Sequence, residues 1–184
     1  AEELPARLNG VLCVIYLIFN QGYTVGPVAG HDLTEEAIFL ARMLSHLLPA
    51  EAEVSGALAL FELIYARRNA RLDPAGRSIP LGEQDREHWH WSEIRTALAR
   101  LDEALALRQT GRYQIKAAIA ACHATRGSPD WEQIALLYHR LLDHEPTPVV
   151  RLNLAVAIAE AGQPAMARSL LDTLADALPD YQPL

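Results

Sequence analysis

The sequence is poor in cysteine, in positive charge and in long apolar runs, and each shortage removes a class of protein from consideration. Its two cysteines, Cys13 and Cys122, lie far apart in apolar helical stretches. That pattern fits buried free thiols in a reducing compartment rather than a disulfide frame. Sixteen Lys and Arg against 23 Asp and Glu leave a net charge of −7, which opposes a phosphate backbone, so direct nucleic-acid contact is not expected of this segment. The most apolar run, Val11 to Phe19, falls short of the roughly 20 residues that a membrane-spanning helix needs. Glu2 and Glu3 precede it, where a signal peptide carries basic residues. A cytoplasmic protein with neither leader nor anchor is expected. The opening at Ala1 without Met and the ending on Tyr181-Gln182-Pro183-Leu184 suggest a piece of a longer polypeptide.

Motifs for chemistry are equally scarce. His31, His46, His88, His90, His123, His139 and His144 include no HExxH arrangement, and no cysteine pair has CxxC spacing. His88 and His90, near Glu83, Asp85 and Glu87, form the one plausible metal cluster, but an i, i+2 pair diverges on a helix, and ordinary surface histidines are expected. Gly22, Gly26 and Gly30 read as turn glycines, since no strand precedes them and no lysine follows as in a phosphate-binding loop. There is no GxSxG nucleophile elbow. The expectation is a protein that is not an enzyme and that carries no cofactor and no metal.

What the sequence does contain is helix. Alanine and leucine dominate a chain that is 51% hydrophobic, and apolar positions recur every three or four residues. Breakers divide the chain into about eight helices, near 5–21, 33–48, 50–70, 92–108, 112–126, 129–144, 148–161 and 164–178. Asp32 with Glu35 reads as a capping box, Ser128-Pro129 and Thr147-Pro148 as helix starts, and Gly162 as a helix end. Even-numbered helices share one spacing of apolar positions: Ala37, Ala41 and Leu44; Ala97, Leu101 and Ala104; Ile134, Tyr138 and Leu141; Ala167, Leu171 and Leu174. Pro146 and Pro179, each after a helical hairpin, repeat at close to the tetratricopeptide period of about 34 residues. The predicted fold is therefore all-α: one domain, 1–184, of stacked hairpins in a tetratricopeptide-like right-handed solenoid. The hairpins are 5–48, 50–108, 112–144 and 148–178, with an insertion at 72–91 inside the second. One hairpin cannot bury its apolar face alone, which is why the four are expected to stack.

Two groups of residues stand out from that scheme. Arg67, Arg68 and Arg71 are expected at the end of the third helix, and Gln84, Asp85, Arg86 and Trp89 in the insertion that must fold back nearby. Asp85 either pairs with one of those arginines, or the arginines face an acidic partner. Tyr16, Phe19, Asn20, Gly22 and Tyr23, at the end of the first helix, suit either a core with hydrogen-bonded tips or an interface.

In order, Tyr16-Leu17-Ile18-Phe19-Asn20-Gln21-Gly22-Tyr23, Ala66-Arg67-Arg68-Asn69-Ala70-Arg71, Gln84-Asp85-Arg86 with Trp89, and Gly111-Arg112-Tyr113-Gln114-Ile115 run along the chain. Asp130-Trp131 and Pro146-Thr147-Pro148-Val149-Val150 with Leu152-Asn153 follow. Together they resemble the C-terminal extension of one subgroup of extracytoplasmic-function (ECF) sigma factors. Gln21, Tyr65 and Leu154 depart from that family, which usually has Glu, Asp and Arg there. The resemblance implies sigma domains N-terminal to this segment and absent from it. It further implies a regulatory role for the segment in transcription initiation, through contacts with those domains of the same polypeptide, with the RNA polymerase core or with a signalling protein. The competing readings are a free-standing tetratricopeptide-type adaptor that binds peptides, and a small-molecule sensor or enzyme with a pocket under the 72–91 insertion. Oligomeric state is not legible in the sequence.

Overall fold

Helix is the only regular structure in the described residues, as the three-to-four-residue apolar spacing predicts. The computed structural model describes residues 3–25 and 32–174. Its helices are α1 (Glu3–Val25), α2 (Leu33–Leu47), α3 (Ala52–Tyr65), α4 (Trp91–Ala106), α5 (Arg112–His123), α6 (Trp131–Leu142), α7 (Pro148–Glu160) and α8 (Pro164–Asp172). Three short 3-10 turns lie between α3 and α4, at Arg68–Ala70, Leu81–Glu83 and Arg86–His88. Gly26, Gly30, His31 and Pro179 lie outside the described residues.

Several ends differ from expectation for local reasons. Helix α1 runs through Gly22 to Val25, so Gly22 is a packing glycine and not a turn residue: a Cβ there would come within 2.4 Å of the Thr34 nitrogen on α2. Helix α3 stops at Tyr65, which leaves Arg67, Arg68 and Arg71 beyond its end. Asp32 caps α2 by accepting from Thr34 N at 2.8 Å, but Glu35 does not complete a box; it accepts from the Tyr65 hydroxyl at 2.6 Å. Helix α6 begins at Trp131 under Asp130, which accepts from Gln133 N at 2.9 Å, two residues after the expected Ser128-Pro129 start. Thr147 caps α7 as expected. Gly162, at φ +83°, closes α7 with bonds from Gly162 N to Ala159 O and Gln163 N to Ile158 O, the pattern in which a left-handed residue satisfies the last carbonyls.

Packing follows chain order. Helices α1 and α2, α3 and α4, α5 and α6, and α7 and α8 pair as neighbours, α2 leans on α3, α6 on α7, and α3 crosses α5. The aligned positions are what these pairs bury: Ala37, Ala41, Ala97, Leu101, Ala104, Ile134, Leu141, Ala167 and Leu174 are buried. Leu44 and Tyr138 are half-buried and Leu171 is exposed. The largest core joins α1, α2, α3 and α5 around Phe19 and Phe61, whose rings stack at 4.5 Å. A smaller core gathers Leu63, Ala66 and Ile94 around Trp89 of the insertion, and two more continue the series through α5 to α8. A glycine permits the tightest crossing: a Cβ on Gly56 of α3 would lie 2.9 Å from the Gln114 nitrogen of α5.

Helix α1 contains a 19-residue stretch, Arg7–Val25, long and apolar enough by length and composition to cross a bilayer. Leu12, Ile15 and Phe19 on it are buried in the main core, so one face of this helix serves helix packing. The shorter run read from the sequence underestimates the apolar length because α1 extends past Gly22. Both cysteines are free, but only Cys122 is even half-buried; Cys13 is exposed, contrary to the buried thiol expected there. Burial pushes the Cys122 thiol above its ordinary pKa.

Candidate functional site

The aromatic and arginine motifs converge where the end of α1, the segment after α3 and the insertion meet. Phe19 is fully buried and stacks on Phe61 and on Tyr23. Tyr16 packs against Phe61 and edge-on to Tyr113. The Arg71 guanidinium lies 4.2 Å over the Tyr23 ring, which ties α1 to the post-α3 segment. Asn20 is half-buried and makes no side-chain hydrogen bond among the described residues.

The expected pairing of Asp85 with an arginine does not form. Asp85 caps the 3-10 turn at Arg86–His88, accepting from Glu87 N at 2.9 Å, with His88 Nδ1 at 2.8 Å; these bonds hold its carboxyl below the usual range. Its oxygens serve its own turn, and Arg68 and Arg71 are occupied elsewhere. Arg68 grips Glu93 of α4 in a bidentate pair at 2.7 and 2.9 Å and lies 4.3 Å over the Tyr65 ring. Arg86 donates to the Thr125 and Gly127 carbonyls, so it fastens the insertion to the turn between α5 and α6. Gln84 is buried and donates to Ile79 O at 3.1 Å. Trp89 is buried, with Arg67 at 5.6 Å and Arg86 at 5.4 Å from its ring centre. His88 belongs to Asp85, and His90 Nδ1 lies 3.5 Å from Glu93. No group of three or more His, Cys, Asp and Glu side chains is placed to hold a metal among the described residues.

Arg67 alone of the three motif arginines has neither a carboxylate partner nor a tyrosine ring beneath it. Burial holds its guanidinium below its ordinary pKa, with the Tyr23 hydroxyl opposing that shift; an arginine stays charged through such a shift. It opens onto a cavity of about 340 Å³ lined by Tyr16 of α1, Ile64 of α3, Lys116 and His123 of α5, Tyr138 of α6 and Asn153 of α7. Lys116 lies 2.8 Å from a Glu145 carboxylate oxygen, a charge contact without the alignment of a directed hydrogen bond. A second cavity, of about 490 Å³, shares Leu81 and His123 with the first and is lined by Arg86 and Arg126. Burial, then Arg67, then Arg86 depress the His123 pKa to about 4, so the imidazole is neutral at pH 7 and sits in a positive field.

Two other clefts are less equipped. One of about 520 Å³ between α2, α3 and α4 holds Glu35, Glu62 and Glu93, but each has a partner, in Tyr65, in Arg42 and Arg100, and in Arg68. Another of about 680 Å³ between α1 and α2 is lined mostly by apolar side chains such as Val11, Val14, Ile18, Met43 and Leu47, with Arg7 the one charged residue on its lining. The basic trough was not legible in advance, because Lys116, His123 and Arg126 carry no motif and come together only when the helices pack.

The profile of a family of unknown function (DUF6596) matches residues 7–105. An uncharacterized protein of Rhizobium meliloti (strain 1021) is 44% identical over 187 residues, covering 98% of this chain and 44% of its own length. The chain thus spans less than half the length of the curated relative it matches. No solved structure matches it.

Proposed function

The chain belongs to the family of unknown function DUF6596, and we propose that it acts as a protein-interaction domain with no reaction of its own. The narrower reading is the regulatory C-terminal extension of an ECF sigma factor. In it the domain modulates transcription initiation in the cytoplasm by contacting the sigma domains of the same polypeptide, the RNA polymerase core or a signalling protein, without touching DNA or membrane. The observation that carries the interaction reading is the trough itself: successive hairpins present Tyr16, Arg67, Lys116, His123 and Asn153 on one concave lining. Serial helical hairpins commonly bind macromolecules on such a surface, which is a warrant by analogy of fold.

The sigma reading draws on the motif string and on chain length. Most motif residues build the domain: Phe19, Tyr23, Arg68, Arg71, Arg86 and Trp89 take part in packing and pairing. Shared residues of that kind mark a shared fold, and Arg67 is the motif member left to meet a partner. The relative's further length leaves room for additional domains. A free-standing adaptor would use the same basic trough, so the partner decides between them. The test is co-purification and calorimetric titration of this domain against the remainder of its full-length polypeptide, produced separately, with an Arg67→Glu variant. Saturable binding that the variant weakens is expected; no binding by a domain that is folded by circular dichroism overturns the sigma reading. Arg68 is unsuitable for that reversal, since losing its Glu93 pair would perturb the fold.

A further inference from the structure

We propose that the trough around Arg67 and His123 is a receptor for an acidic peptide segment, with a carboxylate seated on Arg67 and flanking apolar side chains against Ile64 and Leu81. The inference deepens the interaction-domain reading and rests on it for the peptide nature of the ligand. The protein as a whole is acidic, at −7, yet the two cavities, which share Leu81 and His123, gather Arg67, Lys116, Arg86 and Arg126, with Glu145 as the carboxylate on their lining. Arg67, Arg86 and Arg126 form no ion pair among the described residues. Backbone carbonyls accept hydrogen bonds from Arg86 but leave its charge uncompensated, and Arg126 rests on the Trp91 ring at 4.5 Å.

A guanidinium held against Trp89 at 5.6 Å is pre-oriented, so little side-chain entropy is lost when it takes a carboxylate. Desolvation also strengthens that bond relative to one at an open surface. The remaining lining favours a peptide over a polyphosphate. Ile64, Leu81 and Ile119 are apolar, while the Tyr138 hydroxyl and Asn153 amide have no partner among the described residues and suit backbone groups.

His123 supplies a reporter inside the trough. A carboxylate seated on Arg67 offsets part of the positive field that, after burial, lowers the His123 pKa, so the imidazole is expected to titrate at higher pH when the site is filled. The experiment uses the full 184-residue chain and an acetylated, amidated peptide of alternating Glu and Leu, with its Gln-for-Glu counterpart and inorganic phosphate as parallel probes. Calorimetry gives affinity, and the His123 ring proton resonances give its titration. The expected result is saturable binding of the Glu peptide, a rise in the His123 pKa, and affinity at least about tenfold weaker for the Gln peptide and for Arg67→Met. Arg67→Lys should recover part of the loss, and Arg140→Gln, at a residue that pairs with Asp143 and does not line the trough, should bind as the native protein does.

Equal binding of the two peptides, phosphate competing as well as the Glu peptide, or no saturation by a folded protein each overturn the proposal. A full-length partner that binds unchanged by Arg67→Met would remove the trough inference and leave the interaction domain standing. A Glu peptide that binds while the remainder of the polypeptide does not would do the reverse for the sigma reading.

Discussion

Glu53 shows how much one side chain can organise at the scale of the residue. From the first turn of α3 its carboxylate accepts from Tyr113 N and Gln114 N at 3.1 Å, so it caps a helix that begins 59 residues further along by sequence and satisfies donors that α5 cannot. Gly111 makes room for it: a Cβ would lie 2.2 Å from the Glu53 carboxyl carbon, while its extended backbone, φ −143°, demands no glycine. Glu53→Gln and Gly111→Ala should therefore each cost about 1–2 kcal/mol. Because both remove one cap, the double variant should cost little more than either alone, a coupling that urea denaturation of the four proteins measures. His123 makes the second test at this scale. Its folded pKa of about 4 lies below the unfolded value of about 6.5, so the unfolded chain takes up its proton first as pH falls. The associated stability is full above pH 6.5 and is lost between 6.5 and 4, by about 1–2 kcal/mol once solvent screening of the half-buried ring is allowed for. Denaturation at pH 7 and 4.5 should show that loss in the native protein and a smaller one in His123→Gln.

Among elements, the segment between α3 and α4 has no helix long enough to hold itself. The contacts that fix it include Arg68 to Glu93, Arg71 over Tyr23, Arg86 to the Thr125 and Gly127 carbonyls, and Trp89 in its own small core. Arg86→Met keeps the apolar stem and removes both carbonyl bonds, so the loop should open locally while the helices stay folded. Limited proteolysis should then cut within 72–90 several times faster, with circular dichroism unchanged; equal rates would show that Trp89 suffices. The sequence periodicity located the eight helices and most of their buried positions because those follow from local spacing, as at Ala97, Leu101 and Ala104 but not at the exposed Leu171. Ends were less legible where two signals competed: Asp130 prevailed over Ser128 as cap, and the tight Gly22 contact with Thr34 let α1 run on where a glycine suggests a stop. The partner of Asp85 and the role of Glu53 were beyond reach, since both depend on which distant backbone arrives nearby.

At the scale of the whole molecule, four cores in series replace one central core, and stability should be graded along them. The core shared by α1, α2, α3 and α5 holds Phe19, Phe61, Leu58 and Tyr113, whereas that between α7 and α8 rests on Leu154, Ile158 and Ala167. Burying a large apolar side chain contributes about 1.5–3 kcal/mol, so the last hairpin has far less to lose on opening. In a chain whose units contact mainly their neighbours, it can open without dismantling the rest. Hydrogen exchange should therefore show α7 and α8 exchanging at a lower free energy than α3 and α5. Two substitutions separate this from a single cooperative core. Ile158→Ala, at about 2–4 kcal/mol, should accelerate exchange in α7 and α8 and leave α3 protected. Gly56→Ala, which forces a Cβ against the Gln114 backbone, should cost about 1–3 kcal/mol less the roughly 1 kcal/mol that alanine returns to a helix, and should lower protection in α3 and α5 while the local opening of α7 and α8 is little changed. If Ile158→Ala instead weakened α1 to α8 uniformly, the hairpins would form one cooperative unit, and the trough would be a rigid receptor and not a surface whose C-terminal wall, carrying Asn153, can open to admit a partner.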